Sequence, residues 1–306
     1  MSKYKILWID DKWEELISFK EVCELPENGL EVETAANAED GMRLFEAKLE
    51  EWSGVVVDAK LPKDAKSIDR LDGLTYCLDR INKLASSREV PYYIFTGQPD
   101  TASGTAFAEQ YEGRHYEKDK DEARLIADIK DKAEMLPETQ IIHKHQEVFD
   151  NWPESKHELL RILKVIKDED WQNNSVLNDI RKVMDDVMIR LYNCGYCIVE
   201  HTGSNLGECS KMLGNGYMRE FIPGYIQRSI HTCVEVTNTG SHRMDTDSFV
   251  KFGKAPYLLR SLTYDMLNVL HWCKDLPSKE DRESTLKRVM EAKEKAEQKQ
   301  MKFASK

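Results

Sequence analysis

Short apolar runs alternate with segments of helical periodicity through the first half of the chain. The run Val55-Val56-Val57 is continuous and β-branched, which is typical of a strand buried on both faces of a sheet. The predicted strands are Lys5–Ile9, Leu30–Ala35, the run ending at Val57, Tyr92–Phe95 and His115–Glu117. The predicted helices are a segment around Leu16, Ile17 and Phe19, then Glu39–Leu49, Leu74–Leu84, Thr101–Tyr111 and Glu122–Glu134. Five such units predict an α/β fold, a (βα)5 doubly wound parallel sheet with helices on both faces.

The hydrophobic pattern changes after Leu136-Pro137, which predicts a domain boundary between residues 1–135 and 136–306. From Gln140 onwards the periodicity is helical almost throughout, so the second domain is predicted to be all-helical. Apolar positions with this spacing are Leu159, Leu160, Leu163 and Ile166, then Val183, Val187, Met188 and Leu191, then Leu258, Leu262, Met266, Leu267 and Leu270. Two stretches containing glycine, 203–216 and 237–240, are predicted to interrupt these helices.

Composition narrows the class of protein. Hydrophobic residues make up 41% and charged residues 32%, which indicates a globular chain and not a disordered one. No apolar stretch approaches the ~18–20 residues of a membrane span. The N-terminus lacks the pattern of a signal peptide, and the seven cysteines are scattered. We therefore expect a cytosolic protein with reduced thiols.

The formal charge is divided unequally between the two predicted domains. Residues 1–135 contain 19 Lys and Arg against 30 Asp and Glu, whereas residues 136–306 contain 25 of each kind. The balanced charge of the second domain disfavours a DNA-binding role. The tail Leu286–Lys306 has seven basic and three acidic residues, and we interpret it as a solvated helix face.

Acidic residues stand directly after two of the predicted strands. Asp10 and Asp11 follow the first strand and Asp58 follows the third, while Thr96 and Lys118 follow the fourth and fifth. Strand ends of a parallel sheet meet at one edge, so these side chains are predicted to converge. Two carboxylates beside a third repel phosphate unless they hold a divalent cation, and oxygen ligands with room for water suit Mg²⁺. The Thr96 hydroxyl and the Lys118 ammonium can then bind phosphoryl oxygens, with Asp58 as the acceptor.

Four motifs in residues 1–135 resemble the receiver domain of two-component response regulators, which has a flavodoxin-like fold. They are ILWIDD with its acidic pair, VVVDAKLP with the acceptor, IFTG with the hydroxyl, and the lysine of HYEKD. The resemblance implies that Asp58 takes phosphate from a histidine kinase or a phosphotransfer protein. It implies Mg²⁺ on Asp10, Asp11, Asp58 and the backbone carbonyl of Lys60, and detection of the phosphorylated state by Thr96 and Lys118.

The chain departs from the family pattern at several positions. Residues Lys63–Leu71 look like an insertion after the acceptor strand, Gly97 replaces a frequent alanine, and Asp119 replaces the usual proline after the lysine. The switch aromatic of the family falls near His115 or Tyr116, and the sequence does not choose between them. These differences concern switching and leave the phosphoacceptor chemistry intact.

The second domain offers two local motifs. Cys194 and Cys197 form a CxxC with His201 and Cys209 nearby, which is either a zinc site or a set of buried thiols. Because there is no second CxxC, we favour buried thiols. His242 follows an Asn-Thr-Gly-Ser turn, as a catalytic base or as part of a capping loop.

The stretch Cys233–Leu276 loosely resembles HEPN-type all-helical domains, but it lacks their Arg-then-His nuclease spacing. The leading hypothesis is a response regulator whose helical domain acts through protein–protein contacts. The alternative is a receiver-gated nuclease or hydrolase, in which His242, His231, Arg228 and Glu235 would have to cluster. Homodimerisation is compatible with the family resemblance.

Overall fold

The computed structural model describes residues 4–66, 72–97, 111, 113–170, 173, 175–242 and 257–304, without the side chains of 239–242 and 303–304. The chain divides into two compact units, Met1–Thr139 and Gln140–Lys306. Among the described residues, no helix has the length and apolar character needed to cross a bilayer.

The first unit is built on a five-stranded, all-parallel sheet. Its strands are β1 (Tyr4–Ile9), β2 (Leu30–Ala35), β3 (Trp52–Val57), β4 (Tyr92–Thr96) and β5 (His115–Glu117). They lie in the order β2-β1-β3-β4-β5, which is the flavodoxin-like order of doubly wound sheets. The predicted fold class is therefore confirmed.

Helices cover both faces of this sheet. They are α1 (Ile17–Cys23), preceded by a 3₁₀ turn at Trp13–Leu16, and α2 (Ala38–Ala47), α3 (Asp72–Leu84) and α4 (Glu122–Met135). Residues such as Leu7 and Val57 pack with α2 and α3 on one face. Their strand neighbours, such as Trp8 and Val56, pack with α1 and α4 on the other. The predicted helix Thr101–Tyr111 lies outside the described residues except for Tyr111.

The loop after β3 is tied to the helices on either side of it. The amide groups of Ala38 and Glu39, in the first turn of α2, donate to the carbonyl oxygens of Pro62 and Lys63 at 3.1 and 2.9 Å. A Cβ at Gly73, near the start of α3, would overlap the carbonyl oxygen of Leu61. The close approach requires glycine at this position, and it holds the loop that begins at the predicted acceptor.

The first unit extends to Thr139, slightly beyond the boundary predicted at residue 135. A buried ion pair joins this segment to the rest of the unit: Arg88 Nε lies 3.7 Å from Glu138 Oε1, and both side chains are almost fully buried. The Arg88 guanidinium also donates to the carbonyl oxygen of Leu49. Separating the chain after residue 135 would leave a buried guanidinium without its carboxylate, which is costly.

The second unit is all-helical in the part that the structure describes. Its α-helices are α5 (Pro137–Lys144, which begins in the first unit), α6 (Gln146–Asn151), α7 (Lys156–Lys167), α8 (Ser175–Asn193), α9 (Leu206–Leu213), α10 (Gly224–His242), α11 (Leu258–Trp272) and α12 (Arg282–Ala304). One apolar cluster joins residues from Ile141 to Val289. Within it the Trp152 indole donates to the Leu270 carbonyl at 3.3 Å, and the Arg190 guanidinium lies 3.6 Å from the centre of the tryptophan ring.

Of the two predicted interruptions of the helices, the first is wrong in part and the second is wrong in full. Residues 203–216 contain α9, whose buried Leu206, Cys209 and Leu213 recur at helical spacing. Residues 237–240 lie inside α10. Thr237 is fully buried there, and its hydroxyl donates to the Cys233 carbonyl at 2.7 Å, so a polar side chain is satisfied within the helix. The resemblance to HEPN-type domains is not confirmed.

Candidate functional site

The carboxylates of Asp10 and Asp58 leave the sheet side by side at the ends of β1 and β3. The Asp58 amide donates to the Ile9 carbonyl at 2.9 Å, and the Asp10 amide donates to the Ala35 carbonyl at 2.9 Å. The backbone ladder therefore continues one residue beyond each strand. Asp10 is fully buried and Asp58 is 5% exposed, so both acidic groups are held in fixed positions away from bulk water.

Three carboxylates meet at this edge of the sheet. Asp10, Asp11 and Asp58 each offer an oxygen, and these oxygens lie within 4.8 Å of one another. In the described part of the chain this is the one group of three or more His, Cys, Asp or Glu side chains that could share a metal ion. Like charges at this separation repel strongly when they are buried, so the arrangement calls for a cation.

Lys118 supplies one positive charge to the group. Its Nζ lies 2.8 Å from Asp10 Oδ2 and 2.8 Å from Asp58 Oδ1. Burial lowers the pKa of the Lys118 ammonium, but Asp58 and Asp10 outweigh it, and the pKa lies above its ordinary value. Burial raises the pKa of the Asp58 carboxyl, Lys118 lowers it and Asp10 raises it, and it too lies above its ordinary value.

The carboxylate oxygens of this group fit a hard divalent cation as ligands. Asp10 Oδ2 is buried and accepts no hydrogen bond, although the Lys118 ammonium lies close to it. The other Asp10 oxygen accepts from the Lys12 amide at 2.9 Å, and Asp58 Oδ2 accepts from the Lys60 amide at 3.0 Å. Oxygen donors of this kind are the preferred ligands of Mg²⁺. The hydrogen bond from the Lys60 amide places this residue beside the acceptor. The role of the Lys60 carbonyl as a metal ligand stays a prediction.

Thr96 and Gly97 lie at the end of the neighbouring strand. Thr96 is almost fully buried, and its carbonyl oxygen accepts from the Lys118 amide at 2.8 Å. The backbone of the predicted hydroxyl donor is thus joined directly to the backbone of the lysine. A Cβ at Gly97 would make an ordinary contact of 3.7 Å with Lys118 Cδ, so space does not require the glycine found here.

His115 and Tyr116, the two candidates for the switch position, lie on opposite faces of the sheet. The Tyr116 side chain is buried against α1 and α4, and its hydroxyl donates to Asp128 Oδ2 at 2.7 Å. Burial first, and then Asp128, raise the pKa of the Tyr116 phenol. His115 is half-buried and pairs with Ile94 in the sheet register, on the face that α2 and α3 cover. The Tyr116 side chain is thereby fixed in place.

The turn after Lys118 was not signalled by any sequence motif. Asp119 adopts a left-handed conformation with φ 68°. The Asp121 carboxylate accepts from the Glu117 amide at 2.9 Å. An aspartate three residues after a strand-end lysine is the signal that would have found it.

Of the residues proposed for a site in the second unit, the structure brings His231 and Glu235 near each other. His242 is the last residue of α10, and its side chain lies outside the described residues. His231 Nε2 lies 3.7 Å from Glu235 Oε2 in an exposed pair one turn apart on the same helix. His231 Nδ1 also lies 3.5 Å from the Ser210 hydroxyl. Both lengths are long for hydrogen bonds, which is typical of a helix surface.

The CxxC residues are buried thiols. The Cys197 thiol donates to the Val199 carbonyl at 3.1 Å, and burial raises its pKa to about 12. His201 Nε2 lies 2.8 Å from Asp185 Oδ1. Gly195 has φ 82°, and a Cβ there would overlap the Arg282 carbonyl oxygen. The central glycine of the motif therefore lets the first turn of α12 approach, which is a structural role.

Comparison with known proteins gives matches to solved structures alone. One is a response regulator receiver domain protein from Clostridium thermocellum, 22% identical with a TM-score of 0.33, covering 43% of this chain and 95% of its own. Another is a CheY-like receiver domain protein from Methanospirillum hungatei JF-1, 24% identical with a TM-score of 0.32, covering 44% and 96%. Both matches fall on the N-terminal part. No family model and no curated protein matches the chain.

Proposed function

We propose that this protein is the response regulator of a two-component phosphorelay, in which Asp58 accepts a phosphoryl group. The observation that supports it is the convergence of Asp58, Asp10, Asp11 and Lys118 at the carboxyl ends of parallel strands. An acidic group of this kind binds a phosphoryl group only when its charge is neutralised. The chain provides one ammonium and the ligands for one divalent cation.

The transfer makes one bond and breaks one bond. An Asp58 carboxylate oxygen forms a bond to phosphorus while the bond from phosphorus to the leaving atom of the donor breaks. With a phosphohistidine donor, the imidazole nitrogen keeps the electron pair and takes a proton from water. With acetyl phosphate, the leaving group is acetate. The product in both cases is an aspartyl phosphate, and Lys118 lies where its ammonium can stabilise the charge on the transferred group.

Mg²⁺ would be held by Asp10, Asp11, Asp58 and the carbonyl of Lys60. When bound, it neutralises charge on the phosphoryl oxygens during transfer. Lys118 lies 2.8 Å from two of these carboxylates and so shares them with the metal.

Phosphorylation would be detected by Thr96 and Lys118, with His115 or Tyr116 at the switch position. The Thr96 hydroxyl is expected to move towards the phosphoryl group, and His115 is expected to follow on the same side of β5. Tyr116 is the weaker candidate because its hydroxyl is already hydrogen-bonded to Asp128. Such a change would bias a surface around β5 between two arrangements.

The helical unit is proposed to act through protein–protein contacts. Residues 136–306 carry no net charge, which disfavours DNA binding, and the His231–Glu235 pair is an exposed surface pair. The upstream partner would be a histidine kinase or a phosphotransfer protein. A homodimer of this chain is a compatible form of output.

Intact-mass measurement tests the proposal. With acetyl phosphate or phosphoramidate and Mg²⁺, the protein should gain the mass of one phosphoryl group, and chelation of the metal should prevent the gain. Asp58→Asn should abolish it. Asp64→Asn, which removes a half-buried carboxylate from the loop after β3, should leave it unchanged. The proposal fails if the wild type gains no mass or if Asp58→Asn gains as much as the wild type.

A further inference from the structure

We infer that Asp121 is a positioning residue for Lys118, and that it acts by closing the turn that carries the lysine from β5 into α4. The inference rests on the proposed function of Asp58 as a phosphoacceptor. The inference itself concerns local structure, namely the hydrogen bonds that determine where the Lys118 ammonium lies.

The Asp121 side chain does not cap the backbone amides of its own helix. Asp121 is the N-cap residue of α4, where an aspartate usually accepts from an amide in the first helical turn. Here it makes no such bond. Its Oδ2 accepts instead from the amide of Glu117, the last residue of β5, at 2.9 Å. A bond between a carboxylate and a backbone amide is charge-assisted and short, so it is a strong constraint on the strand end.

The turn that this bond closes contains an unfavourable conformation. Asp119 has φ 68°, a region that residues other than glycine adopt only when surrounding contacts hold them there. The Glu117 carbonyl accepts from the amides of Lys120 and Asp121 at 3.3 and 2.9 Å. Glu117 and Asp121 are thus joined in both directions, once through the backbone and once through the Asp121 carboxylate.

Arg124 braces the same turn from α4. One guanidinium nitrogen donates to Asp121 Oδ2 and to the His115 carbonyl, each at 3.0 Å. The guanidinium also lies 4.7 Å from the centre of the Tyr116 ring. Because this arginine is more than half exposed, its ion pair contributes less than the amide bond, and Asp121 is the residue on which the turn depends.

Lys118 lies between the two constrained residues. Glu117 before it is held by Asp121, Asp119 after it is left-handed, and its own amide donates to the Thr96 carbonyl at 2.8 Å. From this backbone its Nζ reaches Asp58 and Asp10 at 2.8 Å each. A shift of the turn would move the backbone from which the Lys118 side chain starts, and so would act on both distances at once.

The test measures the rate of phosphoryl transfer from acetyl phosphate in the full chain. Asp121→Ala should lower the rate about 10-fold, because misplacing a charge-stabilising group by a fraction of an ångström weakens transition-state contacts. Asp121→Asn keeps an acceptor for the Glu117 amide and should stay within about 3-fold of the wild type. Glu122→Ala, the matched control, removes a carboxylate from the neighbouring residue and should not change the rate.

A double-mutant cycle separates positioning from a general loss of structure. In the Lys118→Ala background, Asp121→Ala should change the rate by less than about 2-fold, because the group it positions is gone. An equal loss in both backgrounds would overturn the inference, as would a wild-type rate in Asp121→Ala.

The position of Lys118 can also be read without phosphoryl transfer. Its side-chain ¹³Cε resonance, assigned by its disappearance in Lys118→Ala, should shift in Asp121→Ala and not in Glu122→Ala. An unshifted resonance in Asp121→Ala contradicts the inference whether or not the wild type accepts a phosphoryl group. A wild type that accepts none, with a shifted resonance, overturns the proposed function and leaves the positioning role standing.

Discussion

The two units of this protein place their polar groups in opposite ways. In the first, parallel strands end at one edge of a sheet and bring Asp10, Asp11, Asp58 and Lys118 together. In the second, helices turn their apolar sides to a single core, and ionisable groups form separate pairs, such as the exposed His231 with Glu235 and the buried His201 with Asp185. A sheet edge therefore concentrates charge from distant parts of the sequence, whereas a helical bundle of this kind distributes it.

The largest expected effect is a loss of unfolding free energy in the helical unit that leaves the sheet edge of the first unit intact. Leu163→Ala removes a fully buried side chain from α7 and should cost about 2–5 kcal/mol of unfolding free energy in the second unit. Because the first unit has its own buried clusters, hydrogen exchange should speed up in α7 and α8 and not in the strands.

Lys164→Ala is the matched control at the neighbouring, half-buried position and should leave exchange in α8 unchanged. Equal acceleration of exchange in β1 and β3 by Leu163→Ala would show that the two cores are not independent.

The next effect acts on the sheet edge alone. Lys118→Ala removes the one ammonium that contacts both Asp10 and Asp58, so the rate of phosphoryl transfer should fall about 100-fold. Stopped-flow or quenched measurements with acetyl phosphate give the rate. Lys60→Ala keeps the hydrogen bond from the backbone amide to Asp58 and serves as the control. Its loss of transfer rate should be much smaller. A similar loss in the two variants would remove the special role of Lys118.

A smaller effect concerns stability and its dependence on pH. Since the pKa of the Asp58 carboxyl lies above its ordinary value, the charged form is disfavoured in the folded protein. Without metal at neutral pH, Asp58→Asn should therefore stabilise the first unit by about 0.5–2 kcal/mol, as substitutions at functional sites often do. The advantage should vanish as the pH falls through the raised pKa, because the protonated carboxyl carries no charge.

Urea unfolding at several pH values in the presence of a chelator measures the difference. Asp64→Asn, which replaces a half-buried carboxylate outside this group, should show no comparable stabilisation. A gap between Asp58→Asn and the wild type that widens as the pH falls would have the wrong sign for this account.

The smallest expected effect is that of a cysteine substitution on the zinc content of the protein. Cys194 and Cys197 are buried thiols, and His201 already pairs with Asp185, so the purified protein should contain no stoichiometric zinc. Elemental analysis of the wild type and of Cys197→Ser should give the same result. One zinc per chain, lost in Cys197→Ser, would restore the metal interpretation of the CxxC.

Sequence patterns predicted the first unit well because each element carries its own signal. The β-branched run before Asp58 and the apolar run before Asp10 mark buried strands, and topology then brings their ends together. Patterns failed where the outcome depends on tertiary contacts. The hydroxyl of Thr237 is satisfied inside α10, and the Asp121 carboxylate accepts from the Glu117 amide.

The choice between His115 and Tyr116 shows the same limit. The sequence places two aromatic side chains on successive positions of β5, and strand alternation puts them on opposite faces. The hydrogen bond from Tyr116 to Asp128 on α4 shows that the tyrosine is held in place. That partner lies on a different element, so no local pattern contains it.

The most direct test of the central claim is chemical mapping of the phosphorylated residue. After reaction with acetyl phosphate and Mg²⁺, borohydride reduces an aspartyl phosphate to homoserine, which peptide mass spectrometry locates. The account predicts homoserine at position 58, with Asp10 and Asp11 unchanged and no conversion after chelation of the metal. Conversion at another residue, or none at position 58 in the wild type, would contradict it.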